Sequence, residues 1–294
     1  MAFNWSTFRT RALTAIVFVA VMVTGLFWNR WSYLLLFSVI HFGAWWEYLR
    51  LTEKITGTAI HPYAKMGWMV AGYAIVLFAS GDFYALGGYS FGKNFPLPVS
   101  AAGFALIVLG IFQQQKLTAR AAAMAAAGVL YISIPVASMV DMAHSFCMQA
   151  TETLDEGEVF TWYLPAFIIG CIWINDTMAY IVGSLIGRTP LSKISPKKTW
   201  EGTIGGILLT VAVAWLVCSR FQIGTIQEEL ALVLSLAIAV TGTIGDLFES
   251  KLKRMAGVKD SGHFMPGHGG FLDRFDSLLF AAPCCWLLTQ CVQH

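Results

Sequence analysis

The chain is written in long apolar runs separated by short polar punctuation. Nine stretches approach the roughly 20 apolar residues that carry a helix across a bilayer. They cover about 12–28, 31–49, 66–82, 97–113, 121–142, 162–186, 203–219, 229–248 and 271–291. The pattern predicts an all-α, polytopic integral membrane protein with about nine transmembrane helices. Only Asn29 and Arg30 part the first two runs, which predicts a tight helical hairpin. The Gly- and aromatic-rich segment from Gly81 to Pro96 makes the third and fourth runs less regular, with partial re-entry into the membrane as an alternative. Residues 121–127, nearly all alanine and methionine, suit close helix packing in lipid. No internal repeat is visible, so an inverted-repeat transporter gains no support.

Composition agrees with that picture. The 294 residues are 57% hydrophobic and only 12% charged, too little charge for the surface of a soluble helical enzyme. The six cysteines, Cys147, Cys171, Cys218, Cys284, Cys285 and Cys291, show no CxxC spacing and mostly fall in apolar runs. They read as small packing residues, with neither a disulfide framework nor a zinc site. The first run follows Arg9 and Arg11 as a signal peptide would, but Trp28 and Arg30 stand where small cleavage-site residues belong. A retained helix is expected.

The distribution of charge sets an orientation. With a cytoplasmic N-terminus, the inner loops hold fifteen Lys and Arg residues and the outer loops only Arg30, Lys93 and Arg220, with Arg274 at a helix start left uncounted. The segment Glu152 to Glu158, with four carboxylates, then lies outside. Functionally the chain divides into N-terminal membrane helices over 1–150, a lipid-facing scaffold, and a catalytic membrane region over 151–294. Its cytosolic loops are 187–202 and 249–270.

The densest charge lies between Gly245 and Asp276. Asp246 ends the eighth run, and Asp273 and Asp276, three apart and on one helix face, begin the ninth. A basic, glycine-rich loop joins them, with Lys253, Arg254, Lys259, Asp260 and His268. Carboxylates at the lips of two membrane helices around such a loop point to a metal-assisted phosphate site. The three aspartates can converge on one hard cation, since Mg²⁺ favours carboxylate and phosphate oxygens; for Asp276 the alternative is a salt bridge. His263 and His268 have no cysteine nearby, so phosphate donation by His268 is preferred to zinc. A second block, from Arg188 to Gly202, carries Ser195, Lys197, Lys198 and Thr199 just before the seventh run. Lysines beside a helix start suit anionic oxygens, although Lys193, Lys197 and Lys198 also suit ordinary membrane anchoring. Asp176 lies deep in the sixth run, where it either lines a polar cavity or pairs with Asn175 and a neighbouring helix. Glu47, between Trp45 and Arg50, is placed at the inner membrane interface among aromatic residues.

Ser250, Lys253, Arg254, Lys259, Asp260, Gly262, Pro266, His268, Gly269, Gly270, Asp273, Arg274 and Asp276 fall in register with the signature of the phosphatidate cytidylyltransferases, which this block resembles. Met265 is a mild departure. The segment Ser195 to Gly202 resembles that family's substrate-phosphate segment, and Asp176-Thr177 its Asp-Thr-Gly-Ala-Tyr, with Met178 in place of glycine. The resemblance covers Asp176 to Asp276. It implies formation of CDP-diacylglycerol and pyrophosphate from CTP and phosphatidic acid, at the inner membrane of a bacterium with two membranes, with no nucleic acid involved. It implies metal binding by Asp246 and Asp273, with catalytic contributions from Lys259, Arg274 and His268. Substrate contacts are expected from Asp176, Arg188, Ser195, Lys197, Lys198, Thr199, Lys253, Arg254 and Asp260. A second metal ion and a homodimer stay open. The competing classes are another metal-dependent lipid phosphotransferase, such as a polyprenol kinase, and a membrane transporter.

Overall fold

The computed structural model describes residues 5–113, 117–145, 161–221, 226, 228–262, 264 and 269–293. Eleven α-helices account for most of them: α1 (Trp5–Phe27), α2 (Arg30–Thr56), α3 (Pro62–Ala79), α4 (Phe91–Asn94), α5 (Pro96–Gln113), α6 (Ala119–Gly128), α7 (Ile134–Ser145), α8 (Tyr163–Ile186), α9 (Trp200–Phe221), α10 (Glu228–Met255) and α11 (Leu272–Gln293). Residues Val129–Ser133 join α6 to α7 as a π-turn. Each of the nine apolar runs meets a helix. Among the described residues six helical segments are long and apolar enough to cross a membrane: Pro96–Gln113, Ala119–His144, Tyr163–Ile186, Trp200–Arg220, Glu228–Met255 and Leu272–Val292. The protein is therefore an all-α integral membrane protein. The acidic segment Glu152 to Glu158 and His268 lie outside the described residues.

By internal contact the chain forms two compact units, Met1–Val140 with Leu252–Phe275, and Asp141–Lys251 with Asp276–His294. The signature loop thus groups with the N-terminal helices, which a cut near residue 150 does not anticipate.

In the first unit α2 is the central rod. Asn29 starts it by accepting from the Trp31 and Ser32 amides at 2.8 and 2.9 Å, while Ser32 returns the bond to the Asn29 amide. This reciprocal cap satisfies donors that a helix start leaves bare. Gly57, at φ 63, ends the helix in the left-handed region. The buried face of α2 carries polar groups, and each seeks a partner across the interface. Tyr33 Oη donates to the Met139 carbonyl at 2.6 Å, and Tyr48 Oη to the Met124 carbonyl at 2.7 Å. Ser133, on the π-turn, accepts from Trp45 Nε1 at 3.0 Å and bonds His41 Nε2 at 3.1 Å. Helices α3 and α5 meet through small residues: a Cβ on Gly103 would stand 2.6 Å from the Ala71 nitrogen. The segment before α5 forms a short hairpin, Ala85–Leu86 with Tyr89–Ser90, followed by the single turn of α4. Gly87 and Gly88, at φ 58 and 85, supply the left-handed pair such a turn demands.

In the second unit α8 and α9 pack by the same logic. Ala179 and Gly183 face Gly202 and Gly206, small residues four apart on both helices. Gly245 of α10 lets α11 approach, since a Cβ there would sit 2.5 Å from the Asp276 carbonyl oxygen.

Filling the α8–α9 seam tests this packing. Gly206→Leu places a branched chain where a Cβ already falls 2.8 Å from Ala179 Cβ. It should destabilise the detergent-solubilised protein by about 1–3 kcal/mol, read as a lower thermal midpoint, and Ala179→Gly should restore part of the loss. An unchanged midpoint would remove the seam as a constraint.

Candidate functional site

Two clusters of charge are built, one in each unit. In the first unit the anchor is Glu47, which is 5% exposed on α2. Its carboxylate accepts from the Phe271 amide at 3.0 Å and the Leu272 amide at 2.9 Å, the first donors of α11, and from Ser261 Oγ at 2.6 Å. An anion suits a helix start, whose amides lack intrahelical acceptors and carry partial positive charge. The fit requires glycine twice. A Cβ on Gly262 or Gly270 would run into the Glu47 carboxylate. Glu47 is therefore buried inside the protein, with Ser261, Gly262, Gly270 and Phe271 packed against it.

Asp273 organises the other side of the same loop. One oxygen accepts from Lys253 Nζ at 2.5 Å. The other accepts from the Ser261 amide at 2.9 Å, Ser261 Oγ at 2.9 Å and the Gly270 amide at 2.8 Å. Ser261 has one hydroxyl proton for two carboxylates, so Glu47 and Asp273 share it. Arg254 Nη1 donates to the Val258 carbonyl at 3.3 Å. Lys259 and Asp260 are exposed on the rim of the loop, and Arg274 is exposed on the first turn of α11.

In the second unit Asp246, on α10, forms an ion pair with Lys198. Ser250 Oγ also reaches Asp246, at 3.4 Å. Asp276 lies within electrostatic range of Asp246, Asp176 and Lys198. Sequence-predicted residues from α8, α10, α11 and the loop before α9 thus gather in one unit. The loop that presents Lys198 is fixed by backbone bonds. The Leu191 amide donates to the Lys198 carbonyl at 2.7 Å and the Trp200 amide to the Thr189 carbonyl at 2.9 Å. Glu201 accepts from the Arg188 amide at 3.1 Å and the Thr189 amide at 3.1 and 3.2 Å. Thr199 Oγ1 accepts from the Gly202 amide at 3.1 Å and so caps α9. Lys197 projects from the loop and is exposed, Ser195 is half-buried, and the Arg188 side chain is exposed. Asn175 is buried with Oδ1 lacking a hydrogen-bond partner among the described residues, while Asp176 faces outward.

The donor chemistry of the second cluster fits a hard divalent cation. Asp246 pairs with Lys198, and Asp276 lies within electrostatic range of Asp246, Asp176 and Lys198. Among the described residues no group of three or more His, Cys, Asp or Glu side chains is placed to hold a metal by itself. Magnesium does not demand one: it takes one or two carboxylates and completes its shell with water and substrate phosphate. Asp273, in its own unit, is already engaged by Lys253, Ser261 and Gly270.

Glu47 and Glu201 were not assigned roles from sequence. Glu47 lies in the middle of α2 and Glu201 opens α9, and for Glu47 the useful signal was the glycine on the far side. Gly262 and Gly270 mark the place where an unseen group comes close.

Each unit thus pairs a lysine with an aspartate beside a short polar loop between apolar helices. The chain belongs to the cytidylyltransferase family, whose model matches residues 9–292. It is similar to the phosphatidate cytidylyltransferase of Aquifex aeolicus, 42% identical over 137 residues, which are 45% of this chain and 48% of that one. It is 49% identical to that of Synechocystis sp. over 117 residues, 38% of each chain. The Thermotoga maritima protein of the same name is 40% identical over 131 residues, 43% of this chain and 48% of that one. The chain spans about half the length of the curated relatives it matches.

The two carboxylates on the loop should be separable by amide exchange. Removing an acceptor from a buried bond costs about 1–3 kcal/mol, or roughly five- to a hundred-fold in local opening. Asp273→Ala should raise exchange at Ser261 and Gly270, and Glu47→Ala at Phe271 and Leu272, with helices α8 and α9 unaffected. Equal exchange in both variants and the parent protein would mean the loop is held by something else.

Proposed function

We propose that this chain transfers the cytidylyl group of CTP to phosphatidate, giving CDP-diacylglycerol and pyrophosphate. The observation that carries the reading is the presentation of Lys198 to Asp246, beside Asp276, by a loop built from the Arg188 to Glu201 segment. The similarity to proteins named phosphatidate cytidylyltransferase supports the substrate pair.

The chemistry asks little of a base. The nucleophile is an oxygen of the phosphatidate monoester, already anionic at neutral pH. It forms a bond to the α-phosphorus of CTP as the bond from that phosphorus to the bridging oxygen breaks, and pyrophosphate leaves with the electron pair. The difficulty is bringing two anions together, so the protein's part is positioning and positive charge. Lys198 and Lys197 bring ammonium groups to the phosphates. Lys253, Arg254, Lys259, Arg274 and His268 of the signature block are the further groups proposed to meet phosphate. Asp246 and Asp276 would hold Mg²⁺, and the metal role expected of Asp273 requires Lys253 to leave its carboxylate. When bound, the ion neutralises phosphate oxygens and stabilises the departing pyrophosphate.

Orientation belongs to the same proposal: nine spans in a cell's inner membrane, with the N-terminus and loops 187–202 and 249–270 in the cytosol. Contacts within the first unit support it. Arg30 Nη1 donates to the Phe83 carbonyl at 3.1 Å, joining the α1–α2 turn to the α3–α4 connection. At the opposite ends of these helices, Thr58 meets Thr118 at 3.3 Å and Glu53 pairs with Lys65 at 2.7 Å. The sparse cations Arg30 and Lys93 fall at the first end, and Arg50, Lys54, Lys65 and Arg120 at the second, as the positive-inside rule asks.

Purified protein given labelled CTP, phosphatidate and Mg²⁺ should release pyrophosphate only when both substrates are present. Lys198→Ala should lower kcat/KM about ten- to a hundred-fold, the value of one charge-assisted contact. Asp246→Asn should abolish most turnover while the protein stays folded, and higher Mg²⁺ or Mn²⁺ should restore part of it. A folded Asp246→Asn enzyme with parental turnover at limiting Mg²⁺ would remove the proposed centre.

Sidedness has its own check. In a cysteine-free background, a Lys251→Cys probe should react with an impermeant maleimide only from the cytosolic face. Reaction only from the outside would reverse the topology and place the site away from CTP.

A further inference from the structure

One cavity of the first unit is lined by residues from distant parts of the chain, among them Arg50 and Lys54, which the proposed reaction has not used. It holds about 290 Å³ and is walled by Arg50, Leu51 and Lys54 of α2 and by residues 258–262 of the signature loop. Three cations, Arg50, Lys54 and Lys259, face one carboxylate, Asp260. No hydrogen bond or ion pair engages Arg50, Lys54, Lys259 or Asp260 among the described residues.

Two cations one turn apart on a helix repel each other, and Lys259 adds a third. The last turn of α2 offers some relief, because a helix C-terminus carries roughly half a negative charge. That is too little for three. The floor and back wall are also rigid, since Leu51 is buried and Ser261 is tied to both Glu47 and Asp273. A preorganised basic hollow at the small end of ligand-site volumes has room for a phosphate or pyrophosphate group, not for a whole lipid or nucleotide. The Arg50 guanidinium supplies the planar fork that phosphate oxygens accept in pairs, and the lysines supply mobile point charges.

We propose that Arg50 and Lys54, with Lys259, form a phosphate-binding subsite. The group it takes is either the triphosphate tail of the nucleotide or the phosphate of the lipid headgroup. The proposal names a part for α2 in the reaction above and rests on that reading for its physiological ligand. The binding chemistry itself needs no turnover.

The test therefore has two arms on the full-length protein in detergent. The first measures inorganic pyrophosphate binding by calorimetry for the parent, Arg50→Gln, Lys54→Gln and the double variant; Gln keeps most of the apolar stem and removes the charge. Each single change should weaken binding about ten-fold, and Arg50→Lys should recover part of it. The second arm varies CTP and phosphatidate separately in mixed micelles. A rise in KM for CTP alone assigns the cavity to the nucleotide, and a rise for phosphatidate alone assigns it to the lipid. Pyrophosphate binding as tight in a folded double variant as in the parent, with neither KM moved, overturns the proposal. A parent protein that binds pyrophosphate through these residues yet makes no CDP-diacylglycerol sinks the proposed reaction and leaves the subsite standing.

Discussion

The buried carboxylate of Glu47 is the interaction on which the first unit depends. It comes from the middle of α2, and its acceptor oxygens take up the first amides of α11 and the hydroxyl of Ser261. A charged group at 5% exposure is costly unless it is fully bonded, and here three donors converge on it. The reverse is equally true. Without that acceptor the start of α11 would present bare amides to a loop with little else to bind them. The carboxylate and the loop therefore define one another, and the two glycines against it are the spatial record of that bond.

The same device recurs with other residues, once in each unit. Glu201 accepts two backbone amides from Arg188 and Thr189, and Asp273 accepts two from Ser261 and Gly270. In each case an acid holds a loop through main-chain donors, leaving the basic side chains of that loop to point elsewhere. A loop meant to meet phosphate needs this division, because lysines used as structural ties would be neutralised before a substrate arrived. Lys253 is the exception, bound at 2.5 Å to Asp273. Lys198 is held too, by Asp246, but in a cluster where carboxylates outnumber ammonium groups.

Much of this was legible in the apolar runs. Each meets a helix, which satisfies the backbone of an apolar segment within the segment itself. The tight turn at Asn29 was readable as well, since Asn and Ser three apart make a reciprocal cap. Asp246, Asp276, Asp176 and Lys198 could be picked from sequence as unusual charges in apolar company, and the fold gathers them in one unit. Glu47 was seen, but its burial was not. Its position within the Trp45 to Arg50 segment matches an interfacial residue, and nothing local announces donors more than 200 residues away. The capping of α9 by the Thr199 hydroxyl was not read from the sequence. The grouping of the loop with the N-terminal helices was likewise invisible, being a property of long-range contact.

The distance in sequence between Glu47 and its donors also sets a clock. Ser261, Phe271 and Leu272 follow Glu47 by 214, 224 and 225 residues. At roughly 5–20 residues per second, a ribosome needs on the order of ten to forty seconds to deliver them. Through that interval α2 already exists, with a carboxylate whose final partners have not been made. The nascent helix must keep that group near water or pair it provisionally, so the N-terminal helices cannot reach their finished packing as they emerge. Assembly of this unit waits until α11 begins to emerge.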